Sequence, residues 1–398
     1  MDIDALVFQA NFDTDPTKKL QAYQMIRKQA DGLGIKLASM YDVHQKFAKG
    51  ELSGFTIPAL NLRTLTYDFA QAVFRVAKRL NAQYFIFEMA RSEEMYTGQS
   101  PFEFASSILG AAIREKYTGP IYLQGDHYQF NQKKEVSEEL ASLKGLITQS
   151  IAAGFYNIDI DASTLVNLKL GSADAQQKEN FTKTALLTQF IRQNQPSGIE
   201  IAIGGEIGHI GDRNSTTADF EAFMKGYQKM LGEDLGISKV AIQTGSTHGG
   251  VVSPTGDVLQ PNIDFEAITS IGSVARSKYG MGGVVQHAAS TLEDTTLAQF
   301  PTAGTLEIHL ATQFQTIIFD LLPTHLKDEM NQWIMTNLIA ERLDGWTDEQ
   351  FLYKLRKKSL GHFKKDIWGI DETTKKKTVQ ALETRLVTIC TELNIPNA

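Results

Sequence analysis

Short apolar runs that read as buried strands recur along the chain, and a helix-patterned segment separates most of them from the next. The runs are FTIPALN (55–61), QYFIFEM (83–89), PIYLQGDH (120–127), FYNIDIDAS (155–163), IEIAIGGEIG (199–208), KVAIQTGSTHG (239–249), GGVVQHAAS (282–290) and TLEIHLATQF (305–314). Between the first two, Phe69, Val73, Phe74, Ala77 and Leu80 fall at helical spacing within 67–82. Segments 101–117, 136–154, 179–195, 219–231 and 265–279 also read as helices. Ser100 is an N-cap candidate ahead of Pro101, and Gly154 suits a left-handed helix end. Eight strand-like runs alternating with helices predict a closed parallel (β/α)8 TIM barrel, with a doubly wound open sheet as the alternative. No GxGxxG turn follows the first strand, which favours the barrel.

The alternation stops near residue 320. Segments 325–343 and 375–394 read as helices, with a charge-rich loop or short helix between them. The expected division is a barrel domain over 1–319 and a helical C-terminal extension over 320–398. Trp333, Trp346 and Trp368 all fall in the extension and read as packing groups, and no catalytic group is expected there. His44 and His362 have no partners in the sequence pattern and read as incidental.

Of the 398 residues, 42% are hydrophobic and 21% charged, ordinary for a folded chain. The net charge of −7 argues against a general nucleic-acid binder, which needs a basic face. It leaves room for small anionic substrates, which need only local donors. Cys390 is the single cysteine, so no disulfide within the chain and no cysteine metal cluster can form. The opening MDIDALVFQANFD lacks the basic-then-apolar order of a signal peptide, and no apolar run is long enough to span a membrane. A cytoplasmic location is expected.

In a β/α barrel the reacting groups sit at the C-terminal ends of strands. Asp126 and His127 end the third run, Asp161 and Ser163 the fourth; Glu206 lies near the end of the fifth, and His248 and His287 close the sixth and seventh. His309 lies in the eighth. Three of the eight histidines therefore close three different strands. Three neutral imidazoles plus an open position describe a catalytic zinc site, whereas a lone strand-end histidine is ordinarily structural. Gly249 and Gly250 after His248, and Ala288, Ala289 and Ser290 after His287, leave backbone N–H groups open to an oxyanion or phosphate. A tight turn needs the same glycines, so spacing alone leaves both readings open.

The ordered set GDH, GFYNIDIDAS, GGEIG, GSTHGG and QHAAS resembles the class II, metal-dependent ketose-bisphosphate aldolases of the fructose- and tagatose-bisphosphate type. FTIPALNLRT looks like that family's first strand, and the resemblance covers roughly residues 50 to 315. It implies a TIM barrel, a homodimer or larger homo-oligomer, and metal-dependent retro-aldol cleavage of a sugar phosphate, with fructose 1,6-bisphosphate the leading substrate and dihydroxyacetone phosphate a product. The metal implied is Zn²⁺, with Mn²⁺ or Co²⁺ as alternatives. Carried over by position, His127, His248 and His287 match the zinc-binding histidines, and Glu206 a glutamate supporting the metal region. Asp126 matches the acid that handles the C4 hydroxyl proton. Asn61 matches a first-strand substrate contact, and Gly249 and Ser290 match phosphate-holding positions. No lysine stands at the end of the expected strands, which fits a metal route rather than a Schiff base.

The sequence also departs from that family. Its strand-eight Asn-x-Asp-Thr-Asp run is HLATQ (309–313) here, so His309 stands for the Asn and only Thr312 is kept. The second strand carries Glu88 where a small hydroxyl residue is usual, and Ala288 follows His287 where Gly is commoner. Glu88, His309 and Thr312 are therefore expected at the substrate. FEMARSEEMYTGQSPFEF (87–104) is similar to the large, non-catalytic subunit of tagatose-bisphosphate aldolase, which makes a scaffold subunit one alternative. A sugar epimerase on the same metal site is another, with His309 and Glu88 as extra acid–base groups.

Overall fold

The structure is a computed structural model, and it describes residues 2–208, 213–246, 251–252 and 258–396. Eight strands form the barrel: β1 Ile57–Asn61, β2 Ile86–Ala90, β3 Ile121–Gln129, β4 Asn157–Asp161, β5 Ala202–Glu206, β6 Lys239–Ile242, β7 Val284–Gln286 and β8 Glu307–Leu310. Each pairs in parallel with the next, and β8 closes on β1 through Glu307↔Ile57 to Leu310↔Leu60. All eight expected strands are present, in the expected order. A short strand, Leu37–Ala38, adds to the foot of β3.

The helices form where the apolar spacing placed them, as Thr66–Leu80, Pro101–Glu115, Val136–Ala152, Thr217–Leu231 and Phe265–Tyr279; Ala173–Asn194 begins earlier than expected. Ser100 caps its helix by accepting the Glu103 N–H, and the Glu103 carboxylate accepts the Ser100 N–H in return. Two helices ahead of the barrel, Ile3–Phe12 and Pro16–Gly32, pack on Pro101–Glu115. Gly110 makes that approach possible: a Cβ there would lie 2.2 Å from Val7 Cγ2.

The third strand does not stop on Asp126 and His127 as the sequence reading expected. It continues to Gln129, and its register against β4 shifts between Gly125 and Tyr128. That irregularity is a bulge, which re-aims side chains without ending the strand.

The C-terminal extension is helical, as expected. Its last helix, Glu372–Glu392, lies against Thr66–Leu80 and Thr312–Leu321, burying Leu382, Leu386 and Ile389. It thus stands between the helices flanking the β8–β1 seam. The Thr56 N–H, just before β1, donates to the Leu393 carbonyl at 3.0 Å. The middle of the extension forms a small core of Ile334, Phe351 and Leu355.

Candidate active site

Inside a barrel every second residue of a strand points inward. Gln124 and Asp126, Asp159 and Asp161, and Glu307 and His309 are such pairs, and they stack polar groups in two layers. In the lower layer the fully buried Lys239 ammonium reaches Glu307 Oε2 at 2.5 Å, Gln124 Oε1 at 2.7 Å and Asp159 Oδ1 at 3.0 Å. His44 bonds the other Glu307 oxygen at 2.7 Å and Ser238 Oγ at 2.9 Å, so it belongs to this network and is not incidental. Burial opposes the charge on Lys239, but Asp159 and Glu307 hold its pKa above the usual range. A lysine saturated in this way is no Schiff-base nucleophile.

His309 joins the layers. Its Nδ1 lies 3.2 Å from Asp126 Oδ1 and 3.2 Å from Glu88 Oε2, and its Nε2 lies 3.4 Å from Glu307 Oε2. Burial disfavours the imidazolium, yet Glu88 and Asp126 push its pKa up to about 10. Burial likewise raises the Glu88 carboxyl well above its ordinary value.

The upper layer gathers Asp126, His127, Asp161, Glu206 and His287. His127 Nδ1 is 3.1 Å from Glu206 Oε2 and 3.4 Å from Asp161 Oδ2, and its Nε2 is 3.8 Å from Asp126 Oδ1. His287 Nε2 is 3.9 Å from the same Asp126 oxygen, and the His127 and His287 ring centres are 4.1 Å apart. Asp126, His127 and His287 each offer a ligand atom within 4.8 Å of the others, as do His127, Asp161 and Glu206. This mixture of imidazole and carboxylate is the donor chemistry of a divalent transition metal.

The electrostatics fit the same group. Burial would raise Asp126, but His127 and His309 hold its carboxyl well below the usual range. Burial and the neighbouring His127 and His309 push His287 down to about 4, which leaves it neutral as a metal ligand must be. His127 is raised well above its usual value: burial works against the charge, and Asp126 and Glu206 outweigh it. The carboxylate field that holds a proton on His127 is one that a divalent cation could occupy, releasing that proton.

Two backbone torsions build this arrangement. His127 adopts φ 44° and Ala288 φ 57°, both left-handed. Successive strand residues face opposite sides, so the turn at His127 lets it share a site with Asp126. Gly125 contributes space: a Cβ there would lie 2.4 Å from the Tyr128 ring, which is anchored on Ser150.

A cavity of about 740 Å³ opens above these groups. Asn61, Asp126, His127, His287, Ser290, His309 and Thr312 line it. Asn61 Nδ2 donates to Glu93 Oε2 at 2.9 Å and lies 3.4 Å from Asp126 Oδ2. Ser290 Oγ accepts the backbone N–H groups of Ala311 and Thr312 at 2.5 and 3.1 Å, tying β7's exit to β8's. Glu88, expected at the substrate, is fully buried and is not among the residues lining the cavity; it contacts His309 and Gln124. Glu206 stands behind His127 and His287. His248 and Gly249 lie outside the described residues.

Sequence reasoning missed the lower layer and one wall of the cavity. The lower layer had a signal, a polar residue two positions before Asp126, Asp161 and His309: Gln124, Asp159 and Glu307. The wall did not: Tyr353, Lys354 and Lys357 line the cavity from the extension, where no site group was expected.

A sequence model of the family described as fructose-bisphosphate aldolase class-II matches residues 41–360. No curated protein sequence matches the chain. Among solved structures, the fold is similar to the YdjI aldolase from Escherichia coli K12, with TM-score 0.55 and 14% identity over 90% of this chain and 98% of that one. It is similar to a probable tagatose 6 phosphate kinase from Sinorhizobium meliloti 1021, with TM-score 0.64 and 14% identity over 85% and 100%. It is also similar to the fructuronate-tagaturonate epimerase UxaE from Cohnella laeviribosi, with TM-score 0.65 and 11% identity over 92% and 84%. At these identities the structural likeness carries the fold alone.

Proposed function

This chain belongs to the class II fructose-bisphosphate aldolase family, and from that premise we propose that it is a metal-dependent aldolase cleaving a ketose phosphate, with fructose 1,6-bisphosphate the first candidate. The observation that carries the reading is the pairing of Asp126 with His127 and His287 in one cavity, where an acid and metal donors can act on the same substrate. In this reading His127, His287 and His248 hold the cation, Zn²⁺ before Mn²⁺ or Co²⁺, with Glu206 supporting them. The cation supplies Lewis acidity for the negative charge that develops when the carbon–carbon bond breaks.

The chain's own residues do the rest. A substrate hydroxyl on the carbon beyond the breaking bond gives its proton to the Asp126 carboxylate. The bonding electron pair stays on the carbon next to the ketone as an enediolate, and the other fragment leaves as an aldehyde. Burial would raise the Asp126 carboxyl, but His127 and His309 hold it below the usual range, and a bound cation would keep it ionised in place of the His127 proton. Asn61, bridging Glu93 and Asp126, orients that carboxylate and meets the substrate's oxygens. Gly249, Ser290 and Thr312 belong in this reading to the binding of a substrate phosphate. The enzyme works as a homodimer or larger homo-oligomer in the cytoplasm; among the described residues no helix is long and apolar enough to cross a membrane.

His309 and Glu88 favour a second reading. A charged imidazole takes the place of the family's asparagine, and it touches Asp126, which suits an epimerase that returns a proton to carbon. One experiment separates the readings. The purified protein is assayed for bound metal, then incubated with ketose phosphates while three-carbon phosphate release and stereoisomer formation are followed. Release of the three-carbon phosphate supports the aldolase. Isomer formation without it supports the epimerase, and neither activity with no bound metal supports a scaffold subunit.

A further inference from the structure

We propose that the closed end of the barrel, opposite the cavity of Asp126 and His127, carries a second binding site. A small molecule with one anionic group on an apolar body binds between Arg276 and Lys49, and helix Tyr41–Ala48 carries its occupancy through His44 to the polar layer beneath the active site. The inference is independent of the reaction and concerns a different ligand.

A cavity of about 450 Å³ opens at that end. Its walls come from helix Tyr41–Ala48 and the turn that follows it, from helix Phe265–Tyr279, and from Gly304. Phe55 lies just before β1 and Gly304 just before β8, whereas Asp126 and His127 lie at a strand exit, so the two cavities occupy opposite ends of the barrel. Arg276 and Lys49 line the second cavity, and no acidic residue does. In a chain of net charge −7 this leaves a locally cationic hollow.

Arg276 stands in the last turn of helix Phe265–Tyr279 and donates to the Gly304 carbonyl at 3.0 Å. Its guanidinium fills a gap that two glycines leave: a Cβ at Gly283 would lie 2.9 Å from Nη1, and one at Gly304 3.1 Å from Nη2. The end of a helix favours a cation, but a single carbonyl takes only one N–H of a group that presents several. No carboxylate among the described residues forms an ion pair with Arg276, and burial lowers its pKa from the ordinary value with no neighbouring acid opposing the shift. A phosphate or a carboxylate supplies the missing acceptors in the paired geometry that a guanidinium prefers. Ser273 and Ser277 add hydroxyls at the rim. Phe47, Leu52 and Phe55 supply an apolar wall for the body of the ligand, with the two phenyl rings packed at 4.9 Å.

Helix Tyr41–Ala48 joins this cavity to the barrel interior. Phe47 and Ala48 line the cavity, and His44, one turn earlier, is fully buried in the lower polar layer. His44 Nε2 bonds Glu307 Oε1 at 2.7 Å, Glu307 Oε2 lies 3.4 Å from His309 Nε2, and His309 Nδ1 lies 3.2 Å from Asp126. The helix is seated without slack: a Cβ at Gly282 would lie 3.0 Å from His44 Cβ. A ligand that shifts the end of this helix therefore moves His44 against the first residue of β8. The path runs through one imidazole, so substitution of His44 tests it.

The test is calorimetric binding of inorganic phosphate, phenyl phosphate, benzoate and neutral benzyl alcohol to the full-length protein, with hydrogen exchange followed by mass spectrometry. Phenyl phosphate or benzoate should bind and slow exchange in residues 41–48 and 307–310. Arg276→Met should weaken the favoured anion about ten- to a hundredfold, the worth of one hydrogen bond to a charged group. Arg276→Lys should restore part of it, and benzyl alcohol should be insensitive to either change. Tighter phenyl phosphate identifies phosphate as the group bound, and tighter benzoate identifies carboxylate. Inorganic phosphate binding as tightly as phenyl phosphate overturns the role of the apolar wall. His44→Asn keeps a polar atom near Ser238 and gives up the Glu307 contact; it should leave anion binding unchanged and abolish the slowing in 307–310. Should Arg276→Met fold poorly, Ser277→Glu, at an exposed position, sets a negative charge at the rim and should weaken the same anions. Equal affinity of Arg276→Met and the unaltered protein for every anion overturns the site, as does no binding of either aromatic anion. Arg276-dependent binding that leaves exchange in 307–310 unchanged overturns the transmission.

Discussion

At the scale of single residues, the torsion at His127 matters most. An L-residue in the left-handed region carries roughly 1–2 kcal/mol of strain, and the site holds two of them. Strain of this kind persists where surrounding contacts over-determine it, as the Asp126, Asp161 and Glu206 contacts of His127 do. Asp126→Ala should lower kcat by about 10²–10⁴-fold, the usual worth of a positioned proton acceptor, with metal content unchanged. His127→Ala should instead lose the metal. Turnover of Asp126→Ala at the unaltered rate would remove Asp126 from the mechanism, and full metal retention in His127→Ala would remove the ligand role. Ala288 offers a gentler probe. Ala288→Gly relieves a φ of 57° and should raise stability by roughly 0.5–1 kcal/mol in urea unfolding. A loss of stability would show that the Ala288 methyl packs in a way the torsion outweighs.

At the scale of elements, β3 does two tasks with one irregularity. It stays paired with its neighbours and it delivers adjacent residues to one site. Gly125 and Tyr128 make the bulge fit, because the ring occupies the space a Cβ would need. Gly125→Ala should therefore shift the bulge, lower stability by about 1–3 kcal/mol as overpacking does, and weaken metal retention together with it. A variant with native stability and full metal would mean that the bulge is set by another contact. The lower polar layer is a second element-scale device. Lys239 is fully buried and its ammonium has three oxygen partners, so Lys239→Met leaves Glu307 and Asp159 buried without their cation. Breaking such a network by removing one member costs about 3–5 kcal/mol, read as a lower midpoint in denaturant. A midpoint within error of the unaltered protein would mean that the layer relaxes or is hydrated.

For the whole molecule, the extension is both wall and rim. Its last helix buries Leu382, Leu386 and Ile389 against the barrel, at roughly 1.5–3 kcal/mol per fully buried side chain. Deleting residues from about 320 onward should leave an insoluble or partly unfolded barrel. A soluble truncation with a cooperative, unshifted thermal transition would show that the barrel closes without it. The sequence by itself determined the barrel, because strand and helix periodicities are local and eight alternations have few compact solutions. It also determined which polar residues stand at strand ends, and so placed Asp126, His127 and His287 among the site candidates. It could not show that β3 continues past them, since a bulge is a matter of pairing with β4 and of room for one tyrosine ring. Nor could it place His44 under Glu307 or Lys357 beside Arg63. Those pairs are 263 and 294 residues apart in the chain, and only closure of the barrel and the return of the extension over its mouth bring them together.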